Sequence, residues 1–250
     1  MRNFIGEQGF IWFIGTVVDR NDPLKMGRVR VRCYGWHTED VSQISNDDLP
    51  WAVVMTPTTS HSTLGVGESP DLQVGAWVVG FFMDGRRAQE PCIMGSLPTS
   101  NLNEQEERVS DIHPLAKGTN TIKYDVDKSI NEPESPYAAE YPYNKVMATE
   151  GGHTKEYDNT KKKERIREAH VTGTLYEVHP NGSKVVRVVG NNYVVIAGND
   201  SVKVSGNAKL VIDGNLNITV GGNAKLDIGG TTNITSGGNM ALKAPRIDLN

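Results

Sequence analysis

The chain is poor in cysteine, in long apolar runs and in signals that direct a protein across a membrane. Its 250 residues include only two cysteines, Cys33 and Cys92, too few for a disulfide framework or a cysteine-based zinc site. No apolar run approaches the roughly 18 residues that span a bilayer, and the N-terminal residues lack the basic and apolar regions of a signal peptide. We expect both thiols to be buried and reduced, and the protein to be made in the cytoplasm without a signal peptide.

The chain also has a small net charge and lacks catalytic motifs. The formal net charge is −4, which gives no electrostatic footprint for nucleic acid or for an anionic membrane. None of the 6 histidines stands at a metal-ligand spacing, and neither a phosphate-binding glycine loop nor a serine nucleophile elbow occurs. The sequence therefore predicts no metal, no cofactor and no catalytic residue.

Large apolar residues are scarce, whereas glycine is abundant. Hydrophobic residues make up 37% of the chain and glycine occupies 26 positions, more than the average of roughly 7%. A chain of this composition is disordered, repetitive, or dependent on a partner to complete its core. The positions of the glycines decide among these three possibilities.

Residues 1–97 are predicted to form a small closed barrel. Val29, Val31 and Cys33 alternate with three arginines, the pattern of a strand with one buried face. An Asp-Gly pair ending at Gly85 supplies the turn of a hairpin. The predicted strands are residues 10–18, 28–34, 51–56, 76–83 and 91–95. Five short strands without helical periodicity favour an OB-fold.

Two segments separate the barrel from the C-terminal part. Residues 98–150 are polar and rich in Pro, Asn and Glu, which indicates an extended connector that becomes ordered by wrapping a neighbouring subunit. Strand patterns resume in residues 151–181 as a transition segment. There the three lysines 161–163 are predicted to be the exposed tip of a hairpin, and Asn181-Gly182 is a turn signal.

Residues 182–250 carry a repeat of eight residues. Its first residue is a glycine, at Gly182, Gly190, Gly198, Gly206, Gly214, Gly222, Gly230 and Gly238. Asn follows in six of the eight repeats, the fourth residue after the glycine is always Val, Ile or Leu, and the fifth is mostly polar. The apolar residues at the fourth and sixth positions are Val186, Val188, Val194, Ile196, Val202, Val204, Leu210, Ile212, Ile218, Val220, Leu226, Ile228, Ile234 and Leu242. Such a regular repeat outweighs every other feature of the sequence.

The short period restricts the architecture. Each octad provides a Gly-Asn corner and about one face of strand, too little for one chain to enclose a core. Three intertwined chains can do so, because each supplies one face per layer and the apolar residues meet around a shared axis. Glycine would allow positive φ or close backbone approach at each corner of the prism, and eight strands about 4.8 Å apart build a shaft of roughly 40 Å. The predicted fold is therefore all-β, an OB-fold barrel followed by an intertwined three-chain β-helix, in a homotrimer.

The sequence resembles the central spike proteins of contractile-tailed phage baseplates and the related valine-glycine-repeat proteins of type VI secretion. The resemblance rests on DPLKMGRVRVR, LPWA and VGAWVVGFFMDGRRAQEPCIMGSL in the barrel, on GGHTKEYDNTKKKERIREAHVTGTLYEVHPNGS, and on the octads. It implies a virion or injection-particle component that pierces the host outer membrane or cell envelope mechanically. It also implies that the barrels form a collar beneath a hub protein, with the needle pointing toward the cell.

The chain departs from some members of that family. Residues 98–150 are too short and too polar for the lysozyme domain that some members carry, so the resemblance implies no enzymatic activity. Histidines near the C-terminus bind a metal in other members, but the last histidine here is His179. The C-terminal end is blunt, and we expect a separate tip protein to dock there. The docking residues would be Arg246, Ile247, Asp248, Leu249 and Asn250.

Two functions of other classes stay as alternatives. The first is single-stranded nucleic-acid binding by the barrel, which needs a basic groove with stacking aromatics. Residues 1–97 hold 8 Lys and Arg against 11 Asp and Glu, a net charge that disfavours this alternative, and the barrel tryptophans are expected in the core or in trimer contacts. The second is a tail-associated cell-wall hydrolase, for which no catalytic pair of carboxylates can be placed.

Overall fold

The structure is a computed structural model that describes residues 10–60, 68–97 and 126–247. It divides the chain into two units, Met1–Ala197 and Gly198–Asn250. The described part of the first unit contains ten β-strands and two short 3-10 turns, which confirms the all-β class. The described residues contain no helix with the length and apolar character that a membrane crossing requires.

The first five strands form the predicted OB barrel. They are β1 (Trp12–Asp19), β2 (Val29–Cys33), β3 (Trp51–Val54), β4 (Trp77–Phe82) and β5 (Pro91–Leu97). The strands close in the order β1-β2-β3-β5-β4, and β4 pairs with β1 to complete the barrel. β3 and β5 run parallel, whereas the other neighbours are antiparallel. Each strand begins and ends within two residues of its predicted limits, because alternation and turn residues are local signals.

Alternate residues of these strands point into the barrel and form its core. The core residues are Phe13, Val17, Val29, Val31, Cys33, Ala52, Val78, Phe82, Ala88 and Ile93. Cys33 and Cys92 are both buried free thiols, as predicted. Burial raises the pKa of the Cys33 thiol to about 12. Neither thiol is therefore a nucleophile in the folded barrel.

Arg32 contradicts the prediction that the arginines of β2 all face solvent. Its side chain is buried, and its guanidinium donates to the carbonyl oxygens of Thr38 and Ile44 and to Oδ1 of Asn46. The residues that follow β2 fold back over the outer face of this strand. A two-residue alternation identifies the two faces of a strand, but it cannot show that a distant loop covers the polar one.

The predicted turns are present. Gly85 has a φ of 65° in the turn between β4 and β5, and Gly182 has a φ of 81° after the Asn181 signal. The lysine run 161–163 lies between the paired strands Thr154–Asp158 and Arg165–Ala169. Lys162 has a positive φ there, and Lys163 N donates to the Thr160 carbonyl oxygen. The run is thus the tip of a hairpin.

The second sheet has five antiparallel strands and extends past both limits of the 151–181 segment. Its strands are β6 (Asn144–Ala148), β7 (Thr154–Asp158), β8 (Arg165–Ala169), β9 (Leu175–Val178) and β10 (Lys184–Arg187). Each strand pairs with the next one along the chain. The sheet therefore begins inside the predicted connector and ends inside the first octad.

Residues 126–143 lie on the sheet of their own chain. The sequence predicted that the connector would wrap a neighbouring subunit; that contact stays a prediction, while within the single chain these residues are held by their own sheet. Ser135 donates a hydrogen bond of 2.6 Å to Glu177 in β9, and the Glu140 amide donates to the Thr160 hydroxyl. The rest of the connector, residues 98–125, lies outside the described residues.

Candidate functional site

The octads form an extended chain with a bend at every repeat. From residue 188 to residue 247 the described chain contains no strand, because no second strand of the same chain lies beside it. The bends fall on the repeat glycine and the residue before it, at 189–190, 197–198, 205–206, 213–214, 221–222, 229–230 and 237–238. The eight-residue period of the sequence is thus also the period of the backbone.

The apolar residues of the octads are exposed in the single chain. At the fourth position, from Val194 to Leu242, the exposed fraction is 68–82%. At the sixth position, from Ile196 to Ile228, it is 43–54%. A soluble protein rarely exposes a continuous apolar row of this length unless another molecule covers it. The predicted core residues are therefore available for contact between chains.

The glycines of the octads do not have the backbone conformation that the sequence suggested. Among the eight, only Gly182 has positive φ. From Gly190 to Gly238, an added Cβ would meet nothing within 4 Å in the single chain. Of the two possibilities that the sequence left open, positive φ is thus absent in these seven, and close backbone approach stays a prediction. A requirement for glycine there could only come from the close approach of another chain.

The first octad belongs to the second sheet. Lys184–Arg187 pair with Leu175–Val178 of β9, so consecutive residues point to opposite faces. Val185 is buried against Ala169 and Leu175, whereas Val186 is 61% exposed. The sequence assigned Val186 to the needle core and missed Val185, which fills the core of the sheet instead.

The buried face of the second sheet is charged. Its middle row runs across three strands as Glu156 in β7, Arg167 in β8 and Glu177 in β9, with opposite charges as direct neighbours. All three side chains are at most 1% exposed. Opposite charges across paired strands stabilise a sheet, but buried charges do so only when each one has partners.

Arg165 is the centre of this network. Its guanidinium binds Glu156 Oε2 at 2.5 Å and Glu177 Oε1 at 3.0 Å, and none of these three side chains is exposed to solvent. The Tyr137 ring covers the Arg165 guanidinium, whose Cζ atom lies 4.7 Å from the ring centroid. Burial, followed by the charge of Glu156, raises the pKa of the Tyr137 phenol. The connector thus completes a buried ionic network that the sequence did not predict, because strand alternation does not show that a distant segment covers a charged face.

The opposite face of the sheet is exposed and partly apolar. Tyr157 lies opposite Ile166, and Tyr176 lies opposite Val186. Next to Val186 is a groove of about 530 Å³ that His153 and His170 also line. This face therefore exposes apolar residues, among them Val186 of the first octad.

His153 and His170 come together in that groove, with their ring centroids 4.5 Å apart. Nδ1 of His170 accepts a hydrogen bond from the Thr172 amide and is 2.8 Å from the Thr172 hydroxyl. No feature of the sequence indicated this pair. Among the residues that the structure describes, no group of three or more His, Cys, Asp or Glu side chains could hold a metal ion.

The barrel does not present a basic groove in its described part. Arg28 pairs with Asp22, Arg30 with Asp47 and Arg20 with Glu150, and Arg32 is buried as described above. Trp12, Trp36 and Trp77 lie at the surface, with exposed fractions of 58%, 41% and 41%, so they are not part of the core. Four of the barrel arginines are therefore paired or buried, which favours a protein contact over a nucleic acid at the exposed tryptophans.

Asp22 organises the loop between β1 and β2. Its carboxylate accepts hydrogen bonds from the amides of Leu24, Met26 and Arg28 and from the Arg28 guanidinium. The hydrogen bond from Arg28 is the largest cause that lowers the pKa of Asp22 well below its ordinary value. The loop thus holds Lys25 at a φ of 54°, while Leu24 and Met26 remain exposed.

Asp22→Asn is expected to weaken the acid dependence of barrel stability. A carboxylate with a lowered folded pKa stabilises above its unfolded pKa of about 3.9 and loses this contribution as the pH falls below it. All 4 tryptophans lie in the barrel, so fluorescence melts from pH 7 to pH 3 report its Tm. The Tm of the wild type should fall more steeply below pH 4 than that of the variant. Asp71→Asn, at an exposed site, should keep the wild-type slope, and equal slopes for all three proteins would contradict the assignment.

The predicted docking residues are only partly described. Arg246 and Ile247 are exposed, while Asp248, Leu249 and Asn250 lie outside the described residues. A role for these five residues in binding a tip protein stays a prediction.

Comparison with known proteins agrees with this architecture. Residues 35–117 match the family model of the Gp5 N-terminal OB domain. The chain is 30% identical over 266 residues to Protein Gp5 of Vibrio phage KVP40, which covers 79% of this chain and 62% of that protein. It is 47% identical over 79 residues to the pre-baseplate central spike protein Gp5 of Enterobacteria phage T4, and this match covers 29% of this chain and 14% of that protein. The chain therefore spans less than two thirds of the length of either relative. Its barrel thus matches the Gp5 N-terminal OB domain, and the chain as a whole is similar to Gp5 proteins, one of them a pre-baseplate central spike protein.

Proposed function

We propose that this chain is the subunit of a homotrimeric central spike in a phage baseplate or an equivalent injection particle. The three octad regions would intertwine into a β-helical needle that transmits axial force and pierces the host outer membrane or cell envelope. The role is mechanical and requires no enzymatic activity. The names of the two relatives, one of them a pre-baseplate central spike protein, support a place in the virion.

The exposed apolar row of the octads carries this proposal. A single chain leaves the fourth-position residues from Val194 to Leu242 mostly in solvent. Burying a Val, Leu or Ile side chain contributes about 1.5–3 kcal/mol, so covering every octad provides a large driving force for assembly. Pairing between chains would also satisfy the backbone groups that the described extended chain leaves without a strand partner.

The exposed face of the second sheet supports the same interface. Val186 belongs both to this face and to the row of predicted needle residues. Ile166 and Tyr157 continue it across β8 and β7, where they are 41% and 45% exposed. Contact between chains would therefore also involve the exposed face of this sheet.

The two ends of the spike would bind different proteins. The barrel end would contact a baseplate hub protein, for which the exposed Trp12 and Trp77 are suitable anchors because interface energy concentrates in buried aromatic residues. The C-terminal end would carry a separate tip protein on Arg246 and Ile247 and the three residues that follow them.

Light scattering on the full chain, before and after brief warming in SDS, tests the proposal. We expect a mass near three times 27.4 kDa and a trimer that resists the detergent, because intertwined chains cannot separate one at a time. A mass of one chain in native buffer would contradict the needle. The barrel would then have to act as a binding module by itself.

A further inference from the structure

Residues 126–143, here called the strap, cross the second sheet from its last strand to its first. Glu132 binds Arg187 in β10, Ser135 binds Glu177 in β9, and the Tyr137 ring covers Arg165 in β8. Glu140 then reaches the hairpin between β7 and β8, where it pairs with Lys163 at 3.0 Å. The chain next enters β6, the strand at the far edge. The strap therefore contacts β10, β9, β8 and the hairpin between β7 and β8, in that order, before it joins the sheet itself.

The contact between Glu132 and Arg187 connects the strap directly to β10. Glu132 and Arg187 are 55 positions apart in the sequence, but Nη1 of Arg187 lies 3.0 Å and 3.3 Å from the two carboxylate oxygens of Glu132. The Glu132 side chain is 8% exposed and the Arg187 side chain 28%. Glu132 also accepts a 2.7 Å hydrogen bond from the Asp127 amide, which holds the carboxylate in place. A charge-assisted pair of this kind is stronger than an exposed ion pair.

The position of Arg187 gives the pair its significance. Arg187 is the fifth residue of the first octad, the position that is polar in most repeats. In that octad alone, the described chain still pairs with its own sheet through β10. The pair thus joins the connector to the last strand before the octads leave the sheet.

We propose that the strap is a clamp, held by the Glu132–Arg187 ion pair, that fastens the connector directly to β10, the strand from which the octads continue. Force that reaches the connector would pass through Glu132 and Arg187 to the octads. It would not separate the strands β6 to β9 from one another. The part of the inference that concerns force rests on the proposed spike function. The clamp itself rests only on contacts within one chain.

Hydrogen–deuterium exchange of the full chain, followed by mass spectrometry of peptides from residues 126–143, tests the clamp. Glu132→Gln and Arg187→Gln are each expected to accelerate exchange in these peptides by about tenfold or more, as for the loss of a hydrogen-bonded charge pair. The double variant should exchange no faster than the faster single variant, because both changes remove the same interaction.

Lys203→Gln is the matched control. Lys203 occupies the same fifth position two octads further along and is exposed, so exchange in the strap should stay at the wild-type rate. Unchanged exchange in both single variants, or multiplied effects in the double variant, would overturn the clamp. Light scattering on the same samples separates the two proposals. Faster strap exchange in a protein of one-chain mass would support the clamp and contradict the needle, whereas a trimer with unchanged exchange would do the reverse.

Discussion

Ile218→Asp is expected to convert the trimer into single chains. Ile218 is the fourth residue of its octad and is 78% exposed in one chain, so in the proposed needle it lies at the shared axis. The substitution would place three like charges there, each without a partner and out of contact with water. The loss should be several kcal/mol for each of the three carboxylates. Light scattering should then give a mass near 27.4 kDa.

Thr219→Asp is the control for this experiment. Thr219 is the next residue and belongs to the fifth position, which points away from the axis in the proposed needle. The same charge placed there should leave the trimer and its resistance to SDS intact. A trimeric Ile218→Asp protein, or equal dissociation of both variants, would show that the fourth position does not face the axis. Tryptophan fluorescence should be native in both proteins, because all 4 tryptophans lie in the barrel.

Arg165→Met is expected to unfold the second sheet locally. The substitution leaves the carboxylates of Glu156 and Glu177 fully buried without the guanidinium that binds both. Breaking a buried pair in this way costs about 3–5 kcal/mol. Native-state hydrogen exchange of amides in Thr154–Asp158 and Leu175–Val178 should show a decrease of this size in the free energy of opening.

Two further variants make this prediction specific to the buried network. Lys163→Met removes an exposed ion pair with Glu140 in the adjacent hairpin and should cost less than about 1 kcal/mol. The double variant of Arg165→Met with Glu156→Gln removes one charge of each sign, leaves Arg167 opposite Glu177, and should recover part of the loss. If Arg165→Met had no greater effect than Lys163→Met, the network would not stabilise the sheet.

The sequence by itself determined the elements whose signals are local. The alternation around Val31, the turn at Gly85 and the octad period were sufficient to predict the barrel strands, their hairpin and the exposed apolar row. These features depend on residues two, four or eight positions apart, so the order of the residues contains them. The octads also predict assembly, because a single chain leaves their apolar residues exposed.

Only the tertiary structure decided which polar residues are buried. Arg32, Arg165 and Glu177 alternate in their strands as exposed residues do, and nothing nearby in the sequence shows that a loop or the connector covers them. The contact of Glu132 with Arg187 spans 55 positions, and such a pairing leaves no periodic trace. Burial of a charge depends on where a distant segment comes to lie, and this is settled only when the whole chain folds.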